Sequence, residues 1–319
     1  MANPVLAIRD LSLEFPGRRV VDRVSLEVRP REIVAVIGES GSGKTLTALA
    51  ILGLLPRQAR VAGGAISLSG QDLLALSARA RRSILGNRLA YIPQDAMRAL
   101  NPTLDIGDQI GEPLVLHRGA SWAKARRAAV DLLRAVHVYE PELRISEYPH
   151  QFSGGMQQRA MIAMGLALEP ELLIADEPTT ALDVTVQAQV IRLLREIRDG
   201  RGASILFITH DLGLAAGFCD RVYVMYAGEI AEHGPVDAIF DHPRHPYTAA
   251  LMAATPSATE RQDELKSIPG QIPAAGDIPG GCVFAPRCAR AQSQCRVTPE
   301  MRVIGPDHQV RCWFPEPAP

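Results

Sequence analysis

The sequence predicts an α/β protein: a mostly parallel sheet, with an antiparallel β segment before it, a helical insertion inside it and a small cysteine-containing extension after it. Three observations predict this. Short apolar runs suited to strands buried on both faces recur at Ile33–Ile37, Arg88–Pro93, Glu171–Ala175, Ser204–Thr209 and Arg221–Tyr226. Stretches with apolar residues at helical spacing lie between them, and strands alternating with helices make a parallel sheet whose ligand sits at the strands' carboxyl ends. Gly38, Asp176 and His210 each follow or close such a strand.

The elements follow in order. Val5–Arg9 and Leu11–Phe15 read as short strands, Pro16-Gly17 as a turn, and Val24–Val28 as a third strand. Phe15 ends its strand beside the turn, where its face could stack on a purine or serve as an ordinary core aromatic. The stretch from Arg31 to Thr45, REIVAVIGESGSGKT, then runs from a buried strand into a glycine-rich loop and a helix carrying Leu46, Leu49, Ala50 and Leu52. Gly38, Gly43, Lys44 and Thr45 fit the pattern G-x-x-x-x-G-K-[ST], and Ser40, Gly41 and Ser42 fill the loop. Such a loop presents backbone N–H groups to phosphate at a helix N-terminus, and glycines stand where backbone must approach oxygen closely. Lys44 would place an ammonium on the β- and γ-phosphates, and the Thr45 hydroxyl would ligate the Mg²⁺ that bridges them. One of only three lysines, set against 31 arginines, occupies this position, where a point charge rather than a planar fork is wanted.

Gly64–Ser69 reads as a further strand and Asp72–Leu85 as a helix-period stretch; the strand Arg88–Pro93 ends at Gln94. From Asp95 a loop broken by Asn101-Pro102 leads to a helix that Ser121 can cap, with Ala125, Ala129, Leu132, Leu133 and Val136 on one face. After QFSGGMQQR a helix presents Ala160, Ala163, Met164 and Ala167. The helix beyond Asp176 keeps Val186, Val190, Leu193, Leu194 and Ile197 in register.

The chain's 319 residues, 47% of them apolar, suffice for one large or two modest domains. A net charge of −1 without a basic block argues against a nucleic-acid partner. No run approaches 18 apolar residues. The N-terminal MANPVLAIRDLS lacks the features of a signal peptide, so the expectation is a cytosolic chain that meets a membrane through partners.

The ordered set GESGSGKT, Gln94 after a strand, FSGGMQQR, LLIADEP, ALD and ITHD, within residues 1 to about 235, resembles the nucleotide-binding subunit of an ABC transporter. The resemblance implies an ABC ATPase with a RecA-like sheet, an antiparallel β subdomain and a helical subdomain at about 96–165. It implies that Asp176 holds Mg²⁺ directly or through water, that Glu177 polarises the attacking water, and that His210 hydrogen-bonds the γ-phosphate. Gln94 would reach both metal and water. Ser153, Gly154 and Gly155 would face the ATP held by a second ATPase subunit, and Asp183 would bridge that dimer. Met156 departs from the commonest signature, which has Gln there, although the peptide-importer branch often carries Met. Glu177 and His210 together imply a half-site competent for hydrolysis.

Residues 236–319 continue with HPRHPYTAALMAATPS, IPGQIP and a cysteine cluster, resembling the C-terminal extension of dipeptide, oligopeptide and nickel importer ATPases. His245-Pro246-Tyr247 reads as a helix entry, with Thr248–Ala254 as the helix. Pro269–Gly281 is rich in proline and glycine, with little core of its own. Cys282, Cys288, Cys295 and Cys312 are separated by gaps of five, six and sixteen residues. Zinc ribbons favour C-x-x-C knuckles, absent here; zinc, an iron–sulfur cluster and metal-free thiols all remain open on spacing, and the family resemblance implies 4Fe-4S. Cys219 reads as a buried small hydrophobe. The resemblance further implies a non-identical ATPase partner, two membrane permease subunits and an extracytoplasmic solute-binding protein, with this chain peripheral at the cytoplasmic face of a bacterial inner membrane. Peptides, nickel complexes, opines or other solutes are open as cargo, and a non-transport ABC ATPase is the rival class.

Overall fold

The computed structural model describes residues 3–180, 182–254, 267–273, 278 and 280–317. Ala181 of the ALD motif, residues 255–257 at the end of the HPRHPYTAALMAATPS segment, and 274–277 and 279 of the loop-rich stretch lie outside the described residues. The chain packs as two compact units: Met1–Val5 with Val28–Glu32 and Ala75–Phe207, and Leu6–Glu27 with Ile33–Leu74 and Ile208–Pro319.

In the first unit, Leu89–Ile92 pairs in parallel with Leu172–Asp176, Leu89 opposite Leu172 and Ile92 opposite Ala175. Every residue of Leu172–Asp176 is buried, as an unbroken apolar run with both faces covered requires. The helical insertion is built from Ile106–Arg118, Trp122–Ala135 and Gly154–Leu166. Asp105 opens the first of these by accepting the Asp108 N–H, and Gly119 closes it in the left-handed conformation at φ 63°. Trp122–Ala135 buries Ala125, Ala129, Leu132 and Leu133, the face its spacing predicts. Ser121 occupies the N-cap position but makes no side-chain cap bond; Arg126, 2.9 Å from the Asp105 carboxylate, ties the first two helices together.

The second unit carries an antiparallel sheet in the order Arg18–Val28, Leu6–Phe15, Arg60–Leu68, Gln71–Asp72. The two strands expected at Val5–Arg9 and Leu11–Phe15 are one strand, Leu6–Phe15, with its register shifting between Arg9 and Leu13. Asp10 takes φ 47° at the irregularity and its N–H bonds the Ser25 hydroxyl at 2.9 Å, so a bulge absorbs the break in alternation. The helix-period stretch Asp72–Leu85 forms a helix only over Ala78–Ile84. Asp72 turns the chain by accepting the Leu74 N–H, and the Ser77 side chain starts the helix afresh.

A second sheet of this unit begins with Ile33–Ile37, parallel to Arg221–Tyr226, and continues antiparallel through Glu229–Pro235, His308–Val310 and Arg302–Gly305. Glu229–Pro235, EIAEHGP, reads as polar but is nearly all buried. The fully buried Glu232 carboxylate accepts the N–H groups of Arg244 and His245, each at 2.8 Å, and faces His308 Nε2 at 2.7 Å. A buried carboxylate requires such partners. Val310 pairs with Glu232, so the C-terminal extension is sewn by strand pairing and by this carboxylate onto the sheet that also holds Ile33–Ile37.

Candidate functional site

The glycine-rich loop occupies the second unit, between Ile33–Ile37 and the helix Lys44–Leu52. Gly38 sits at φ 150°, and a Cβ there would come within 2.1 Å of the Met225 carbonyl oxygen, so no other residue fits. Gly43 is the N-cap of the helix. Lys44 is 5% exposed, its ammonium donating to the carbonyls of Gly38 at 2.8 Å and Glu39 at 3.0 Å. The ammonium is thereby folded back over the loop. Ser42 is fully buried, and its hydroxyl has no hydrogen-bond partner among the described residues. A buried hydroxyl left in this state, a backbone cradle that only glycine permits and an ammonium held over it are what an anionic phosphate chain would satisfy. Ser40, Gly41 and Thr45 are exposed around this cradle. Phe15 closes its strand half-buried, and His210 stands exposed after Ser204–Thr209.

The first unit gathers the acidic residues. Asp176, 1% exposed, ends its strand, and the Tyr91 hydroxyl donates to its carboxylate at 3.1 Å. Burial, reinforced by that carboxylate, raises the Tyr91 phenol well above its ordinary range, so it stays a donor. Glu177 takes φ 47°, uncommon for a residue with a side chain. One oxygen of its carboxylate accepts from the Gln94 amide and from the Thr180 hydroxyl, each at 3.0 Å. Gln94 and Glu177, apart by 83 positions in sequence, are thus brought together. Neither Tyr91 nor Thr180 carried a signal in the sequence.

Ser153 caps the helix Gly154–Leu166, its hydroxyl accepting from Met156 N–H. Gly155 packs where a Cβ would lie 2.7 Å from a Val186 methyl. Asp183 caps Val184–Arg201 through the Val186 N–H at 3.0 Å. Ser153, Gly154 and Asp183 are all exposed, their backbone or carboxylate open to solvent.

The four extension cysteines are free, and together they line one cavity with His245, Phe284 and Trp313. Burial raises the thiols of Cys282 and Cys288 and pushes Cys312 up to about 11, which favours the protonated form. Among the described residues no group of three His, Cys, Asp or Glu is placed to hold a metal ion, so the expected metal centre on Cys282, Cys288, Cys295 and Cys312 is not supported. The physical reason is that burial favours the thiol over the thiolate at Cys282, Cys288 and Cys312, and a metal needs thiolate donors converged on one point. Cys219 is buried, 6% exposed, as a small hydrophobe would be.

The family model described as ABC transporter matches residues 21–180, half of the chain. The chain belongs to the ABC transporter family. A second model, the oligopeptide/dipeptide transporter C-terminal region, matches residues 231–295 of this ABC chain. It is 48% identical, over 98% of its length and 95% of the relative's, to the "Probable peptide ABC transporter ATP-binding protein y4tR" of Sinorhizobium fredii. It is 45% identical, over 98% of its length and 97% of the relative's, to the "Dipeptide transport ATP-binding protein DppD" of Escherichia coli. A dimeric post-hydrolysis state of the ATP-binding cassette MJ0796 bound to ADP and Pi superposes with a TM-score of 0.65 at 26% identity, over 72% of this chain and 98% of that one. A solved ATP-binding subunit of an ABC transporter gives 0.61 at 32% identity, over 74% and 92%. The ABC fold and an ABC-type ATPase activity follow from this membership. Among the described residues no helix is long and apolar enough to cross a membrane.

Proposed function

We propose that this ABC-family chain is the ATP-hydrolysing subunit of an importer for peptides or related small solutes. The likeness to peptide and dipeptide transport ATP-binding proteins carries this reading, because it runs through the C-terminal region as well as the nucleotide-binding part. ATP would lie in the cradle of Gly38, Ser40, Gly41, Ser42, Gly43, Lys44 and Thr45, with Phe15 against its base. Mg²⁺, held by Thr45, Asp176 and Gln94, would neutralise charge on the β- and γ-phosphates. Glu177 accepts the proton of the attacking water and His210 holds the γ-phosphate. Ser153, Gly154, Gly155 and Asp183 serve the ATP of a second, non-identical ATPase subunit. Support for Glu177 as the base is its carboxylate, oriented by Gln94 and Thr180 before any water arrives.

The same reading assigns residues 1–235 to the nucleotide-binding domain, with its helical subdomain at about 96–165, and 236–319 to an importer-type extension. The chain would sit at the cytoplasmic face of the membrane, joined to two permease subunits that in turn meet an extracytoplasmic binding protein. A 4Fe-4S cluster in the extension has the cysteines' shared cavity in its favour and the lack of a converged donor set against it. Iron near four per chain with matching sulfide, lost in Cys288→Ser, would establish the cluster; a folded chain without iron would remove it.

The function is tested by assembling the chain with its permease and binding-protein partners in vesicles and following ATP turnover with and without peptides. Turnover stimulated by peptide is expected. Stimulation by a nickel complex or an opine alone would replace the cargo, and a complex that binds ATP without turnover would replace the enzyme.

A further inference from the structure

Arg287 lies in the short 3-10 turn Ala285–Arg287, directly before Cys288, far in sequence from the phosphate loop. Its side chain is nevertheless 4% exposed, and it grips the Glu39 carboxylate with both terminal nitrogens, at 2.7 and 3.1 Å. Glu39 follows Gly38 inside the loop. The remaining guanidinium contacts are structural: Nε donates to the Pro269 carbonyl at 2.8 Å, Nη2 to the Ile268 carbonyl at 3.2 Å and Nη1 to the Tyr226 hydroxyl at 3.4 Å. Arg287 is therefore fixed before it meets the loop.

The extension touches Glu39 a second time. The Glu39 N–H donates at 3.0 Å to the hydroxyl of Tyr247, a fully buried residue of the helix Pro246–Ala253. Tyr226, Tyr247 and Phe284 pack with ring centroids 4.6 to 5.4 Å apart and hold both contacts in place. The Glu39 carbonyl in turn accepts from Lys44. Every polar group of Glu39 that can be held is thus held, two of them from the extension.

A carboxylate inside a loop built for phosphate repels its ligand unless a cation cancels it, and a bidentate guanidinium both cancels and orients it. We propose that Arg287 and Tyr247 are positioning residues for nucleotide binding: through Glu39 they fix the phosphate loop in its ligand-ready shape and neutralise its one negative charge. This rests on the reading of the loop as an ATP site. It makes the extension a working part of the nucleotide site, so that displacement of the Ala285–Cys288 turn is felt as a change in ATP affinity.

The test titrates the full chain with a fluorescent ATP analogue, beside thermal melting. Arg287→Gln exposes the loop to an uncancelled carboxylate and should weaken binding about tenfold, the scale of one lost charge-assisted bond. Arg287→Gln combined with Glu39→Gln removes that charge and should recover most of the loss. Damage to the fold alone would instead accumulate. In the assembled transporter Arg287→Gln should raise KM for ATP and leave kcat near its original value. If Arg287→Gln does not fold, Tyr247→Phe, which removes one hydroxyl, decides: several-fold weaker binding is expected, and wild-type binding overturns the proposal. Lys44→Ala separates the two levels. Should Lys44→Ala keep full affinity, the ATP reading itself falls; should it lose affinity while Arg287→Gln binds like wild type, only the positioning role falls.

Discussion

Gln94 donates to the Glu177 carboxylate at 3.0 Å, and so the loop that opens the helical insertion is fastened to the acidic residue that follows Asp176. Glu177→Gln keeps the shape of this pair and removes the basicity. The variant should bind ATP with near wild-type affinity and lose roughly 10²-fold or more in turnover. Undiminished single-turnover hydrolysis by that variant would remove Glu177 as the base.

Lys44→Ala takes away the ammonium that two loop carbonyls now share. ATP affinity should fall by about two orders of magnitude, because the phosphates lose their point charge and the loop loses its internal clamp. Calorimetric titration of the full chain reads this directly. Stability should fall by about 1–2 kcal/mol, since the Gly38 and Glu39 carbonyls each lose a donor.

Gly155→Ala drives a methyl to within 2.7 Å of the Val186 side chain. Overpacking of this kind costs about 1–3 kcal/mol, visible as a lowered denaturation midpoint. Shortening the neighbour with Val186→Ala in the same chain should return most of the loss. An additive pair would show that the two residues do not press on one another.

His233 stacks on Tyr223 with ring centroids 4.7 Å apart, and burial, with Arg221 nearby, lowers its pKa to about 4. The folded imidazole is a weaker base than the unfolded one, so the unfolded chain binds the extra proton first. The stability contributed is fully present above pH ~6.5 and is lost as pH falls from there towards about 4, up to roughly 3 kcal/mol in all. Urea unfolding at several pH values should show this slope in the wild-type chain. His233→Phe, which keeps the stack, should flatten it.

Much of the site was legible because its chemistry is local. A glycine at φ 150°, a lysine at a helix start and an acidic residue ending a buried strand are fixed by neighbours a few positions away, so a pattern of residue types records them. What escaped was non-local. Tyr91 reaches Asp176 across 85 positions, and Arg287 reaches Glu39 across 248, with nothing in the intervening pattern to announce either. Glu229–Pro235 escaped for another reason: Glu232 reads as a surface charge until Arg244, His245 and His308 are brought around it.

The sequence by itself determined the alternation of strands and helices, the phosphate loop and the membership of the ABC family, because hydrophobic periodicity and short motifs are properties of contiguous chain. Only the tertiary structure decided that the extension is stitched to the sheet at Glu232 and Val310 and that Arg287 neutralises Glu39. Those decisions belong to pairing and burial, where the free energy of a charged side chain depends on which partner the fold delivers to it.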